Sequence, residues 1–501
     1  MDKRTADDTQ HRQGTGRIIL KNAISLTMAE IAIKVLTFAF NVYVVRRLGD
    51  DRFGQYSIVL AFTGLFSILL ELGMTQYVMR EIARDRSRAQ ALLWNLVVMR
   101  LILAVVGIVG MTWGATIAGY APVLVLGVLI HSCSYLLSAF HAPLIAVISA
   151  NERLDYVAGL SILGRMVFVV AGGALLLSGA SFIALIVANL LGLPLQIALA
   201  IRLIRRQRMA DLAFHIDPRA WLSIVRGGLP FGFISLMLTI SFSISTVVLS
   251  MHHAENVVGW YNVAYHLMGS LMFFTGGFNE AIVPSLSRTY VSEPRQVEQW
   301  YHRSVRLIVV TSLPMATGGM LLAVPIIRLL YGETFMPSAA AFAILIWDMP
   351  LLMFCSFCGN MTTVIGQERA AGRVYAVNAA VNVLLDLYAI PRYGILGAAV
   401  VTVLTDLVGT IQFHLLLGRR LNLPDMRPVI GRVVLATGVM GTVVALAGGV
   451  HLFIRIGLGV MTYLIMAPAL HLLDDVERAL LARGARRLAR LFRLHVAEET
   501  V

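Results

Sequence analysis

The chain has 501 residues, 58% of them hydrophobic and only 14% charged, with a net charge of +13 and a mean hydropathy of +0.78. Soluble domains run nearer ~45–50% apolar and about 25% charged, so these proportions exclude a soluble globular protein and define an integral membrane protein. The positive charge is spread over many short polar segments, which excludes a nucleic-acid-binding face and fits membrane topology.

The N-terminal tail is polar, and the first apolar run is too long for a signal-peptide core, so it is read as a retained transmembrane helix. Apolar runs of about 20 residues cross roughly 30 Å of hydrocarbon. Fourteen are predicted, at 22–45, 54–76, 91–115, 121–142, 155–178, 181–203, 224–250, 257–284, 304–327, 338–364, 373–390, 396–418, 430–450 and 453–472. The expected fold is all-α: a polar tail (1–21), a first six-helix repeat (22–203), a basic linker (204–223), a second six-helix repeat (224–418), two extra helices (430–472) and a basic amphipathic tail (473–501).

Orientation follows from Lys and Arg in the short loops. With both termini cytoplasmic, the inner segments hold 32 of the 41 Lys and Arg residues, and the outer ones hold six (Arg46, Arg47, Arg52, Arg328, Arg392 and Arg455). The remaining three, Lys34, Arg100 and Arg165, fall inside apolar runs. The tail, with Arg478, Arg483, Arg486, Arg487, Arg490 and Arg493, either lies on anionic lipid or only fixes topology.

The halves repeat at an offset of about 205 residues. Phe53-Gly54-Gln55-Tyr56 matches Val258-Gly259-Trp260-Tyr261, Gly73 matches Gly277, Arg84 matches Arg288, and Arg100-Leu101-Ile102 matches Arg306-Leu307-Ile308. An even number of helices per repeat makes the two halves parallel, related by an axis along the membrane normal. The match moves Arg100 to the inner edge of its helix, with Arg306, as part of a cytoplasmic vestibule. Lys34 and Arg165 stay near mid-membrane, where a cation is costly and usually faces a partner, a cavity or a ligand.

On the first helix Thr27, Glu30, Lys34, Thr37 and Asn41 recur at helical spacing and line one face. Glu30 and Lys34 either neutralise each other or belong to a lined cavity, and the length of the stripe favours the cavity. The counterpart helix carries Ser235, Thr239, Ser243, Thr246 and Ser250 near one face, uncharged. Glu280, His266, Asp348, Asp386 and Asp406 are candidate ion or proton sites, and Thr402, Asp406, Thr410 and His414 form a further stripe. Cys355-x-x-Cys358 lies in an apolar helix without a second ligand pair, so it is read as helix packing, not metal. No nucleotide-binding loop, HExxH or GxSxG occurs, which argues against an enzyme and against a bound cofactor.

Arg47-Leu48-Gly49, Phe53-Gly54-x-Tyr56, Leu72-Gly73 and Arg80-Glu81-Ile82-Ala83, with Tyr331-Gly332-x-x-Phe335, Asn378, Asn382 and Ile390-Pro391-Arg392-Tyr393-Gly394-Ile395-x-Gly397-Ala398-Ala399, resemble the polysaccharide flippases of the MOP exporter superfamily, the Wzx-like lipid-linked oligosaccharide translocases. At Asp386 the family often has Asn. The resemblance implies a flippase of the bacterial inner membrane that moves an undecaprenyl-diphosphate-linked glycan to the periplasmic leaflet for O-antigen, capsule or exopolysaccharide synthesis. It also implies a proton or sodium gradient as energy source and polysaccharide polymerase machinery as a partner. Lys34 and Arg165 suit the diphosphate, and the hydroxyl and amide side chains suit sugar. A multidrug or ion antiporter of the same superfamily, a peptidoglycan-precursor (lipid II) flippase and a non-transporting scaffold are the alternatives.

Overall fold

A computed structural model describes residues 3–272, 286, 296–421 and 425–472, with side chains from Ile33 onward except that of Gln296. Among these residues every regular element is helical. The chain divides into two compact units, Met1–Gly259 and Trp260–Val501.

Ten helices are long and apolar enough to cross a bilayer, or eleven if the pair Ser338–Leu345 and Asp348–Val364, bent by 41°, is one span. Two of the ten are too long for a single crossing. Ile33–Glu71 and Glu368–Gly418, of 39 and 51 residues, would be about 58 and 76 Å long at 1.5 Å per residue. Each is broken by one glycine, Gly49 (φ 75°) and Gly394 (φ 55°), in a conformation that a residue with a Cβ rarely adopts. Each therefore supplies two spans. The full count of fourteen reaches beyond the described residues, because the expected span 257–284 runs into 273–285.

The first unit holds α1 (Lys3–Glu71), α2 (Met74–Arg84), α3 (Ala89–Ile117), α4 (Pro122–Ser132), α5 (Ser134–Ala150), α6 (Leu154–Leu177), α7 (Phe182–Gln207) and α8 (Trp221–His252), and α9 (Glu255–Leu271) begins in it. The segment 77–90, expected as a polar loop, is mostly α2. Met74, Val78 and Ile82, four residues apart, are fully buried, so an amphipathic helix forms where charge alone suggested a loop. Leu72 (φ 47°) and Gly73 (φ 68°) separate α2 from α1. A Cβ on Gly73 would overlap the backbone of Gly228 and Gly232, so α8 approaches this break backbone to backbone. For that reason α8, which the repeat assigns to the second half, packs within the first compact unit. The basic linker is an ordered strap on α3. Asn95 Oδ1 accepts from Trp221 Nε1 (2.7 Å) and Asp217 N (3.1 Å), and Trp94 Nε1 donates to Leu212 O (3.2 Å).

The second unit contains α10 (Gln296–Leu321), α11 (Ala323–Tyr331), α12 (Ser338–Leu345), α13 (Asp348–Val364), α14 (Glu368–Gly418), α15 (Arg427–Leu446) and α16 (Leu452–Ala469). Tyr301, Phe357, Met361 and Phe413 fill its core, and Cys355 and Cys358 are buried there as free thiols. No group of ligands that could hold a metal occurs among the described residues. The extra helices α15 and α16 dock on α10 through Val310, Val433, Ala436 and Ala467, and Tyr463 OH donates to Val310 O (2.7 Å). The tail 473–501 lies outside the described residues.

Candidate functional site

In the first unit α5, α6 and α7 enclose a polar cavity of about 430 Å³. Arg165 and Ser161 reach it from α6, Ser134, Tyr135 and Ser138 from α5, and Asn189 and Gln196 from α7. Two glycines create the geometry. A Cβ on Gly164 would overlap the Gln196 amide, and one on Gly192 would press on the Gly164 backbone. The α6 and α7 backbones therefore come close at Gly164, and the next residue, Arg165, lines the cavity and is exposed.

Lys34 lies at about the same depth. Phe40 of α1 meets Phe168 of α6 edge to face with centroids 5.3 Å apart, and it also packs on Gly172 and Gly173. With the two helices running the same way, six residues back from Phe40 and three back from Phe168 put Lys34 and Arg165 within about one 5.4 Å turn of each other along the membrane normal. Lys34 is exposed, and Thr37 and Asn41 are half-buried. Thr27 and Glu30 lie on the α1 backbone, with side chains outside the described set.

Arg100 departs from expectation. It is not on an open vestibule but buried, 7% exposed, because α2 and α5 close over it. Nη1 donates to Thr75 Oγ1 (2.8 Å), Nη2 donates to Ser138 Oγ (3.3 Å), and Glu71 Oε1 lies 3.8 Å away. Ser138 also lines the Arg165 cavity, so Arg100 stands as a second cation behind its wall. Arg306 is likewise 7% exposed, its Nε donating to Leu472 O (3.0 Å), and does not face an open vestibule either.

The hydroxyl face of α8 divides. Ser235 and Thr239 are partly exposed. Thr246, expected to meet substrate, is 2% exposed. Its end of the helix packs inward, with Ser250 bonded to Tyr120 OH (2.6 Å). Sequence reasoning missed Ser134, Tyr135, Ser138, Asn189 and Gln196. Asn189 and Gln196 could have been found, since they are two amides two turns apart in an otherwise apolar stretch of α7. The α5 hydroxyls carry no comparable signal.

In the second unit Asp348 begins α13 and Asp406 lies on the second half of α14, the two carboxyls neighbours between these helices. Asp348 is 1% exposed, and its Oδ1 has no hydrogen-bond partner. Beside them Thr410 Oγ1 lies 3.5 Å from Cys355 Sγ, and Tyr261 OH lies 3.4 Å from Thr402 Oγ1, so the 402–410 stripe faces these helices. Asp386 is fully buried on the first half of α14, one turn from buried Asn382. His266 is exposed, and Glu280 lies outside the described residues.

A polar cavity carrying Arg165 thus lies inside a bundle of helices long and apolar enough to cross a membrane. The polysaccharide biosynthesis protein family matches residues 19–290, more than half the chain, and the protein belongs to that family. It is similar to the probable low-salt glycan biosynthesis flippase Agl15 of Haloferax volcanii, 22% identical over 89% of this chain and 94% of that one. Among solved structures it resembles the lipid II flippase MurJ in an inward closed conformation (TM-score 0.76, 14% identity, 89% of this chain and 98% of that chain). It also resembles an inward-facing multidrug resistance MATE family transporter of the MOP superfamily (TM-score 0.64, 16% identity, 77% and 95%). These relatives are flippases and transporters, not enzymes.

Proposed function

We propose that the protein is a flippase that carries an oligosaccharide linked to a polyprenyl diphosphate, undecaprenyl in a bacterial host, from the cytoplasmic to the outer leaflet of the cytoplasmic membrane. Its product would feed O-antigen, capsule or exopolysaccharide assembly. The observation that carries the reading is Arg165, an exposed guanidinium in a cavity of hydroxyl and amide side chains within an apolar bundle. An arginine fork matches phosphate oxygens, and neutral donors and acceptors match sugar hydroxyls. Lys34, Thr37, Asn41, Ser235 and Thr239 extend the proposed binding surface, and Arg100 adds positive potential from behind Ser138. The positive charge disfavours the cationic cargo expected of a multidrug antiporter.

Both termini lie on the cytoplasmic side in this reading, as the arginine distribution supports. Transport would proceed by alternating access of two helical bundles. Asp348 and Asp406, with Asp386, are the proposed coupling groups for a proton or sodium gradient. The test is a deletion strain complemented with Arg165→Ala or Lys34→Ala. Each variant is expected to insert at normal levels while lipid-linked glycan accumulates on the cytoplasmic leaflet. Normal glycan export by both would overturn the site assignment.

A further inference from the structure

The ends of α6 and α7, on the side that the arginine distribution assigns to the cytoplasm, enclose a second cavity of about 300 Å³. Leu160 and Leu163 of α6 and Leu199 and Leu203 of α7 wall it, and Arg202 and Arg206 line it one helical turn apart on α7. It is not a branch of the Arg165 cavity. At 100° per residue, Leu160 and Leu163 point about 140° around α6 from Ser161, Arg165 and Phe168. The groove therefore opens on another side of the helix pair.

Its electrostatics are one-sided. The groove's own acid, Asp155, is occupied: Arg153 Nε and Nη2 donate to its two oxygens at 2.9 and 2.8 Å. The same guanidinium lies 3.9 Å over the Tyr156 ring. Arg202 and Arg206 are exposed and have no carboxylate partner among the described residues. A loop arginine that serves only topology needs no apolar groove beneath it. Here two converge on one that descends between spanning helices.

We propose that this groove binds an anionic phospholipid of the cytoplasmic leaflet, its phosphate held by Arg202 and Arg206 and its acyl chains lying along the four leucines. Basic pockets between membrane helices at this depth select anionic headgroups, and the guanidinium fork fits a phosphate diester. The leucine wall makes a diacyl lipid, not a soluble anion, the complementary occupant. Bound there, the lipid tethers the two helices that carry Arg165, Asn189 and Gln196. The proposal is independent of the nature of the transported cargo.

The test is native mass spectrometry of the full chain in detergent, titrated with dioleoylphosphatidylglycerol or dioleoylphosphatidylcholine. The wild type is expected to prefer phosphatidylglycerol by about 10–30-fold, from two arginines at the membrane surface. Arg202→Gln with Arg206→Gln is expected to abolish that preference. Arg205→Gln with Arg208→Gln, which line a separate cavity beside Asp211, is expected to keep it. Glycerol 3-phosphate, the soluble headgroup, is expected not to compete. Retained preference in the first double variant, equal loss in the second, or displacement by glycerol 3-phosphate would each overturn the proposal. Leu163→Trp fills the groove without changing charge. It is expected to lower phosphatidylglycerol binding, and unchanged binding would overturn the proposal even if the arginine variant did not fold.

Discussion

Gly54 and Gly259 lie backbone against backbone in a reciprocal contact: a Cβ on Gly54 would overlap the carbonyl of Glu255, and a Cβ on Gly259 the carbonyl of Asp50. Each overlapped carbonyl is four residues before the other glycine, so the two copies of one sequence motif meet each other with the same geometry. Backbone atoms cannot move aside as a flexible side chain can. Gly54→Val is expected to cost about 1–3 kcal/mol or more by overpacking, read as a lowered melting midpoint of the detergent-purified protein. A midpoint equal to the wild type's would show that the crossing is looser than described.

Arg165 is expected to act through its forked charge. Losing charge-assisted hydrogen bonds to a diphosphate costs about 1.5–3 kcal/mol, so Arg165→Ala should slow glycan export by about 10–100-fold. Arg165→Lys, which keeps the charge but loses the fork, should fall between the two. Export assays on expression-matched strains give the ranking, and a lysine variant no better than alanine would place the effect outside charge.

Arg100 is buried with Glu71 at 3.8 Å, and removing one partner of a buried pair leaves the other unpaired. Arg100→Met is expected to destabilise the protein by about 3 kcal/mol, the low end for such a loss because Glu71 is partly exposed. Arg100→Met combined with Glu71→Leu should recover part of that loss. Strict additivity of the two single changes in a thermal double-mutant cycle would rule out coupling between them.

Asp348 is buried beside Asp406 of the neighbouring helix. If they couple transport to a gradient, Asp406→Asn should leave binding of lipid-linked glycan intact. It should also make the remaining translocation insensitive to a protonophore. Translocation by the Asn variant that still collapses with the proton gradient would remove the pair from the coupling step.

Asp85 lies outside the spans, where the Ser87 hydroxyl donates to its carboxylate at 2.6 Å and then the Ser87 N–H at 3.0 Å. These bonds hold its carboxyl below the usual value. The folded form therefore binds the proton less tightly than the unfolded chain. The resulting stabilisation is complete above the ordinary carboxylate value of about 3.9 and is lost as pH falls through the folded value. The difference in melting midpoint between wild type and Asp85→Asn should shrink as pH is lowered from about 6 to 3. A gap that stays constant would separate these hydrogen bonds from stability.

The membrane class, the helical fold and the family were all legible in the sequence. Each rests on local composition or on a motif carried by neighbouring residues. The break at Gly49 was legible as well, as a gap between apolar runs. Helix α2 was not, because its three charged side chains hid a buried stripe of only three residues.

What tertiary structure alone decided is which polar residues share a space. Arg100 reads as an inner-rim residue from its repeat partner, yet α2 and α5 fold over it and join it to Ser138. Thr246 belongs to a polar stripe but is covered at its end of α8. Gln196 and Ser138 sit in separate apolar runs 58 residues apart and line the same cavity. Composition and run length were enough to read a membrane protein of many apolar helices, because hydrocarbon imposes length and polarity on every span independently. Only the packed helices decided that Arg165 would have a polar cavity, because the close approach of Gly164 and Gly192 depends on the register between two helices, and no local pattern encodes that register.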